Sequence, residues 1–271
     1  MSYILLLLPV TMTLTLGYWD TRAICEPIRL LLNYCEVKFN DKRYKVGPPP
    51  NYDKSEWNNV KNDLGLDIPN LPYLIDDDNG IKLTQMHAII YYLGEKYQLQ
   101  GQSVVERSKE VQIMEGLRDW IYELCDVTYC NAPWIKTDVE LVHIQGESQC
   151  QKESSKFTTL SQQYINDRMK YHLKLYSNIL ERNVKLSCGV EEPQISWIIH
   201  VDRISYVDFI LGEYLMQHLL FSPDCLDDYP LLEMYIHRFK SLPSIAEYLK
   251  SDQYRIEPLH NRYSHFHEGW I

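Results

Sequence analysis

The sequence predicts two domains of different class, a small α/β domain followed by an all-helical one. Residues 12–97 alternate short strand-like runs with helical ones, whereas after residue 104 the strand signals fade and long helical patterns take over. At 271 residues the chain is long enough for two ordinary domains, and its 45% hydrophobic content is enough for a real core.

The first strand is read at Thr13-Leu14-Thr15-Leu16-Gly17, running into Tyr18-Trp19-Asp20-Thr21-Arg22-Ala23. A helix then opens at Glu26-Pro27, where the missing proline N–H is one of the donors left orphaned in any first turn. Ile28, Leu31, Leu32 and Cys35 fall at i, i+3, i+4 and i+7 and form one helix face. Residues 38–46 alternate polar and apolar around Phe39 and Tyr44, a second strand closed by the rigid Gly47-Pro48-Pro49-Pro50.

Residues 51–64 read as a short polar helix that brings Lys54, Trp57 and Lys61 together at spacings of three and four. Two lysines and an indole on one face suit an anion. A solvated helix with an exposed tryptophan accounts for them as well and is the plainer reading. Pro69 and Pro72 then mark a turn in which a cis Leu71–Pro72 bond is expected before a strand at 73–76. Asp77-Asp78-Asn79-Gly80 has hairpin chemistry, 81–84 is the returning strand, and a helix begins at Gln85-Met86 whose free N–H groups make an anion site. This order, β-α-β followed by α-β-β-α, is that of a thioredoxin-like domain.

Residues 98–104, centred on Gly101, are read as a linker between a domain at 12–97 and a helical one at 105–271, with 1–11 as an N-terminal extension. Helices are expected over 106–129, 158–180, 206–220 and 229–249, the third opened by a Ser205-x-x-Asp208 capping box. Residues 138–156 and 187–200 lack periodicity and read as irregular insertions.

Net charge of −10 disfavours nucleic acid and anionic membrane surfaces as partners. No stretch approaches the roughly 18 apolar residues of a spanning helix. Ile4-Leu5-Leu6-Leu7-Leu8 resembles the apolar part of a signal peptide but lacks a basic leader and a small-residue cleavage site, and Met12 would serve as a start equally well. Seven cysteines at irregular spacing suit reduced thiols in a cytoplasmic setting. Cys125 and Cys130 lack metal-site spacing, and His265-x-His267 lacks a third ligand, so no metal is expected. The tail over 260–271, with Phe266 and Trp270, is a candidate cover for the pocket mouth.

Several strings together resemble the cytosolic glutathione transferases, and within them the mu class: Leu16-Gly17-Tyr18-Trp19-Asp20, Pro27-Ile28-Arg29-Leu30-Leu31-Leu32, the loop from Gly47 to Tyr52-Asp53, Leu64-Gly65-Leu66-Asp67 through Pro69-Asn70-Leu71-Pro72 to Asp76, and Tyr206-Val207-Asp208-Phe209. They occur in this order within residues 12–255. The resemblance implies a catalytic Tyr18 that donates a hydrogen bond to the sulfur of glutathione. It places Trp19, Lys54, Trp57 and Lys61 at the glycyl end of glutathione, and Asn70 and Leu71 at the cysteinyl peptide. Gln85 and Met86 fall at the γ-glutamyl end, Asp119 at the neighbouring subunit's glutathione, and Tyr129 in the electrophile pocket. It also implies a homodimer, hydrophobic electrophiles as partners, and no cofactor beyond glutathione as co-substrate.

The departures bear on affinity. Met86 stands where the family has a serine that donates to the γ-glutamyl carboxylate, and a lost hydrogen bond to a charged group costs about 1.5–3 kcal/mol. Lys54 replaces a common arginine, exchanging a fork for a point charge, and Ala23 replaces a frequent glycine. The expected function is conjugation of glutathione to hydrophobic electrophiles. The alternative is a catalytically weakened, transferase-like binding protein for hydrophobic ligands.

Overall fold

The computed structural model describes residues 13–129, 157–186, 196–261 and 264. The 1–11 extension, the 138–156 insertion, Cys130, His265 and His267 lie outside them. Four strands, β1 (Leu14–Trp19), β2 (Asn40–Tyr44), β3 (Tyr73–Asp76) and β4 (Ile81–Thr84), form one mixed sheet in the order β2-β1-β3-β4. β1 runs parallel to β2 and antiparallel to β3, and β3 is antiparallel to β4. The parallel step crosses over through α1 (Glu26–Tyr34), and α3 (Met86–Lys96) follows β4. In the central register Gly17 faces Tyr73, and a Cβ at Gly17 would sit 2.1 Å from the Tyr73 ring, so only glycine admits that ring.

The second strand is shorter than its alternating pattern suggests. The polar helix shrinks to one turn, α2 (Ser55–Asn58), followed by turns in which Val60 and Leu64 are only partly buried against the core. The Leu71–Pro72 bond is cis as expected.

The helical part begins with α4 (Val104–Thr128), two residues before the expected start. Ser103 caps it by accepting the Glu106 N–H at 3.1 Å while Glu106 Oε2 accepts from Ser103 N–H, a Ser-x-x-Glu box the sequence reading passed over. Gly101 N–H donates to the buried Glu110 at 2.8 Å, so the linker is tied to the helix it precedes.

A helical stretch at 157–163 passes through a π-helical segment, Tyr164–Met169, into α5 (Lys170–Leu186). Then come α6 (Tyr206–Phe221), α7 (Pro230–Lys240) and α8 (Pro243–Tyr248). The single helix expected over 229–249 is thus two. Pro243 has no N–H to continue the ladder, and Leu242 before it is extended at φ −58°, ψ 128°.

The capping box at α6 is present, and Asp208 does more than cap: besides Ser205 N–H at 2.8 Å it accepts from Ile198 N–H and Tyr235 Oη. Residues 196–200, the described part of the insertion read at 187–200, are irregular as expected and held firmly in place. Trp197 is buried edge-on to Tyr235, with the Arg238 guanidinium 4.2 Å from its ring centroid, and Asn183 Nδ2 donates to the Trp197 and Ile198 carbonyls.

The two halves share one core. α6 is buried along nearly its whole length and packs on α1, α3 and α4. Gly94 of α3 lies against the Tyr206 ring, where a Cβ would come within 2.7 Å.

Candidate active site

Tyr18 is the penultimate residue of β1 and is buried, with 6% of its surface exposed. Burial pushes its phenol well above 10, with Cys25, Tyr129 and Cys125 adding to the shift and Arg29 opposing it. At neutral pH the group is therefore an O–H donor.

The turn that follows it is held from three directions. Arg22 makes a two-pronged pair with Glu213 of α6, at 2.7 and 3.0 Å, with both side chains almost wholly buried. Burial works against the charge on Arg22, but Glu213 holds its pKa above the ordinary value. The Arg22 and Ala23 N–H groups donate to the carbonyls of Pro258 and Leu259, and Gln217 Nε2 donates to the Ala23 carbonyl. Ala23 sits at φ +35°, a conformation that favours glycine, and these bonds keep it there.

One turn onward, Ile24 lines a cavity of about 270 Å³ that also takes in Asn70, Leu71, Pro72, Gln85 and Met86. The far wall is α4, through Glu115, Arg118, Ile121 and Tyr122, with Tyr214 of α6 beside them. Gln85 is exposed at φ +70°, no side chain caps α3, and the buried Met86 is its first residue. The helix end therefore presents backbone N–H groups and a positive dipole to the cavity. Leu71 N–H already donates to Asn70 Oδ1 at 2.9 Å, so a peptide pairing with that N–H has to displace the Asn70 side chain.

The other predicted residues, Tyr18 included, are not in the lining of this cavity. Trp57 is not the exposed indole of the plainer reading. It is 6% exposed, stacked on Tyr73 at 5.9 Å and edge-on to Tyr44, whose hydroxyl bonds Tyr73 Oη at 2.9 Å. Lys54 precedes α2 and its partial burial lowers its pKa, while Lys61 and Trp19 are half-buried. Asp119 is 70% exposed on α4, one residue beyond the Arg118 of the wall. Tyr129 follows α4, and its hydroxyl accepts the Asn261 N–H at 3.2 Å, with the His260 ring 5.4 Å away. Among the described residues no His, Cys, Asp and Glu cluster is suited to a metal. A larger groove of about 720 Å³ between β2 and α8, with mixed charges such as Lys38, Asp41 and Arg255, contains none of the predicted site residues.

The family profiles described as the glutathione S-transferase N-terminal and C-terminal domains match residues 14–95 and 142–252. The chain belongs to the glutathione S-transferase family. It is 34% identical to glutathione S-transferase Mu 2 of Rattus norvegicus, over 92% of this chain and 95% of that one. To glutathione S-transferase Mu 1 of Oryctolagus cuniculus it is 36% identical, over 90% of this chain and 93% of the relative. Among solved structures, the pi-class glutathione S-transferase of Onchocerca volvulus superposes with a TM-score of 0.66 at 26% identity, covering 88% of this chain and 92% of that one. The glutathione S-transferase Blo t 8 gives 0.71 at 25% identity, covering 93% and 98%.

Within this glutathione S-transferase, three contributors escaped the sequence reading. Arg22 and Glu213 lie far apart in sequence and carry no motif. Pro258 and Leu259 are joined to the Tyr18 turn by backbone bonds, which no side-chain pattern announces. Tyr214 was hidden among the chain's twenty-one tyrosines, on a helix that is buried on nearly all sides.

Proposed function

We propose that this chain conjugates reduced glutathione to hydrophobic electrophiles, with Tyr18 as the group that makes the thiolate. The observation that carries the reading is a phenol kept protonated by burial at the end of β1, in a turn clamped by the Arg22–Glu213 pair. A free thiol titrates near 8.5; lowering that by about two units, roughly 2.7 kcal/mol, makes the thiolate the majority species at neutral pH. A charge-assisted O–H···S⁻ bond in a dry site is of that order. The sulfur then attacks the electrophile, and no cofactor takes part.

For the remainder of glutathione, the open N-terminus of α3 at Gln85 and Met86 receives the γ-glutamyl carboxylate through backbone N–H groups. Asn70 and Leu71 meet the cysteinyl peptide, and Trp19, Lys54, Trp57 and Lys61 hold the glycyl end. Tyr129 borders the electrophile. Asp119, whose carboxylate is exposed, reaches the glutathione of a second subunit in the proposed homodimer. No described helix is long and apolar enough to cross a membrane, and the proposed compartment is the cytoplasm.

Retention on immobilised glutathione, followed by conjugation of chlorodinitrobenzene, tests this. The expected result is glutathione-dependent turnover. A rate equal to the uncatalysed one at saturating glutathione sinks the enzyme reading and leaves the hydrophobic-ligand binding protein.

A further inference from the structure

The cavity at the start of α3 is lined from two sides with different chemistry. On one side are Gln85 and Met86, where the helix end is open and its first turn carries no acidic residue. On the other, α4 brings up Glu115 and Arg118, about one helical turn apart. Glu115 Oε2 lies 2.5 Å from Arg118 Nη1, and Glu115 Oε1 reaches across to Nδ1 of His87, in the first turn of α3, at 3.1 Å. Burial lowers the pKa of His87, with Glu115 opposing, so the ring is uncharged at neutral pH. Arg118 is the one Lys or Arg in the lining, and Glu115 is the one acid; Asp119 is not part of it.

This pair does little for the fold. Its members are three residues apart on one helix and more than a third exposed, and ion pairs of that kind add almost nothing to stability. A carboxylate and a guanidinium also have more hydrogen-bonding sites than these contacts use. Both therefore keep capacity for a ligand in the cavity they border.

The γ-glutamyl end of glutathione is an amino-acid zwitterion, with an ammonium and a carboxylate on the same carbon. The open end of α3 attracts the carboxylate and repels the ammonium, because the helix dipole is positive there. The ammonium thus needs an acid supplied by another element, and Glu115 arrives from α4 within reach of the first turn of α3. The carboxylate finds no hydroxyl at Met86, and Arg118 is the cation on the facing wall. We propose that Glu115 and Arg118 read the amino-acid end of glutathione, Glu115 accepting from the α-ammonium and Arg118 donating to the α-carboxylate beside the N–H groups of α3.

This rests on the glutathione transferase reading and adds two binding residues that the family resemblance gives no role. It makes one subunit sufficient to read both charges of the γ-glutamyl end. It also offsets the missing serine at position 86 with a charge-assisted donor from a different helix.

The test measures the affinity of the full chain for glutathione and two analogues by calorimetric titration. Glutaryl-cysteinylglycine lacks the α-ammonium, and 4-aminobutyryl-cysteinylglycine lacks the α-carboxylate. The unaltered chain is expected to hold glutathione at least roughly tenfold more tightly than either analogue, as fits a lost hydrogen bond to a charged group. In Glu115→Gln the preference over the glutaryl analogue should shrink to within about twofold, while that over the aminobutyryl analogue persists; Arg118→Gln should do the reverse.

A merely structural role weakens all three ligands alike, and that result overturns the proposal. So does a preference that survives in both variants, or one for the ammonium that Asp119→Asn abolishes and Glu115→Gln leaves intact. If the unaltered chain binds none of the three, the transferase reading itself has failed. If it binds glutathione and the variants discriminate as the unaltered chain does, only the assignment of Glu115 and Arg118 has.

Discussion

The turn after Tyr18 and the start of α3 border the same cavity and are built in opposite ways. The turn is over-determined: a buried ion pair, two tail carbonyls and the Gln217 amide hold two consecutive residues, Arg22 and Ala23, the second a non-glycine at positive φ. The helix start is open, with Gln85 exposed at φ +70° and no side-chain cap. Rigid placement suits the group that must meet sulfur in one geometry, since misplacement costs rate directly. An uncapped helix end suits an anion that supplies its own acceptors. The difference assigns chemistry to the first place and affinity to the second.

The largest expected effect breaks the first side of this contrast. Arg22→Ala leaves the Glu213 carboxylate buried and uncompensated and should cost about 3–5 kcal/mol of stability. Denaturant unfolding measures this, and a loss under 1 kcal/mol would mean that the pair is not what clamps the turn. Combining Arg22→Ala with Glu213→Ala should restore part of the loss, because the stranded charge is gone.

Tyr18→Phe comes next. Conjugation at pH 7 should fall tenfold or more, about 1.4 kcal/mol at the least, with the activity moving to higher pH as the bound thiol reverts toward its free value. An unchanged pH profile would assign sulfur activation to another residue.

Met86→Ser probes the helix end and carries the smallest effect. A hydroxyl beside the free N–H groups should tighten glutathione severalfold, less than the roughly tenfold to hundredfold a charged hydrogen bond can bring, because Met86 is buried and its removal opens space. Calorimetric titration of both forms decides it. Equal affinity means that the backbone carries the contact alone.

Much of the α/β half was legible because its signals are local. Alternation, the two prolines around Asn70 and the hairpin turn at 77–80 each specify backbone over a few residues. The cis bond before Pro72 and the capping box at Ser205 were readable for the same reason. The misreadings came where a long-range partner or a single breaker decided the outcome. Trp57 is covered by Tyr44 and Tyr73, which lie on two different strands, and no spacing within 51–64 encodes that stack. The run at 229–249 keeps its helical period across Pro243, so periodicity joined what one missing N–H separates.

By itself, then, the sequence determined a thioredoxin-like domain ahead of a helical one, a tyrosine near the end of the first strand, and an open helix start at Gln85 and Met86. These follow from local backbone preference and short motifs, which act over a turn or two. Only the tertiary structure decided that Arg22 meets Glu213, that residues 258 and 259 seal the Tyr18 turn, and that Tyr214 lines the cavity of Met86. Those pairings join residues far apart in the chain. They arise from how α6 packs between the two halves, and a buried charge or hydroxyl acquires its meaning only from what that packing leaves beside it.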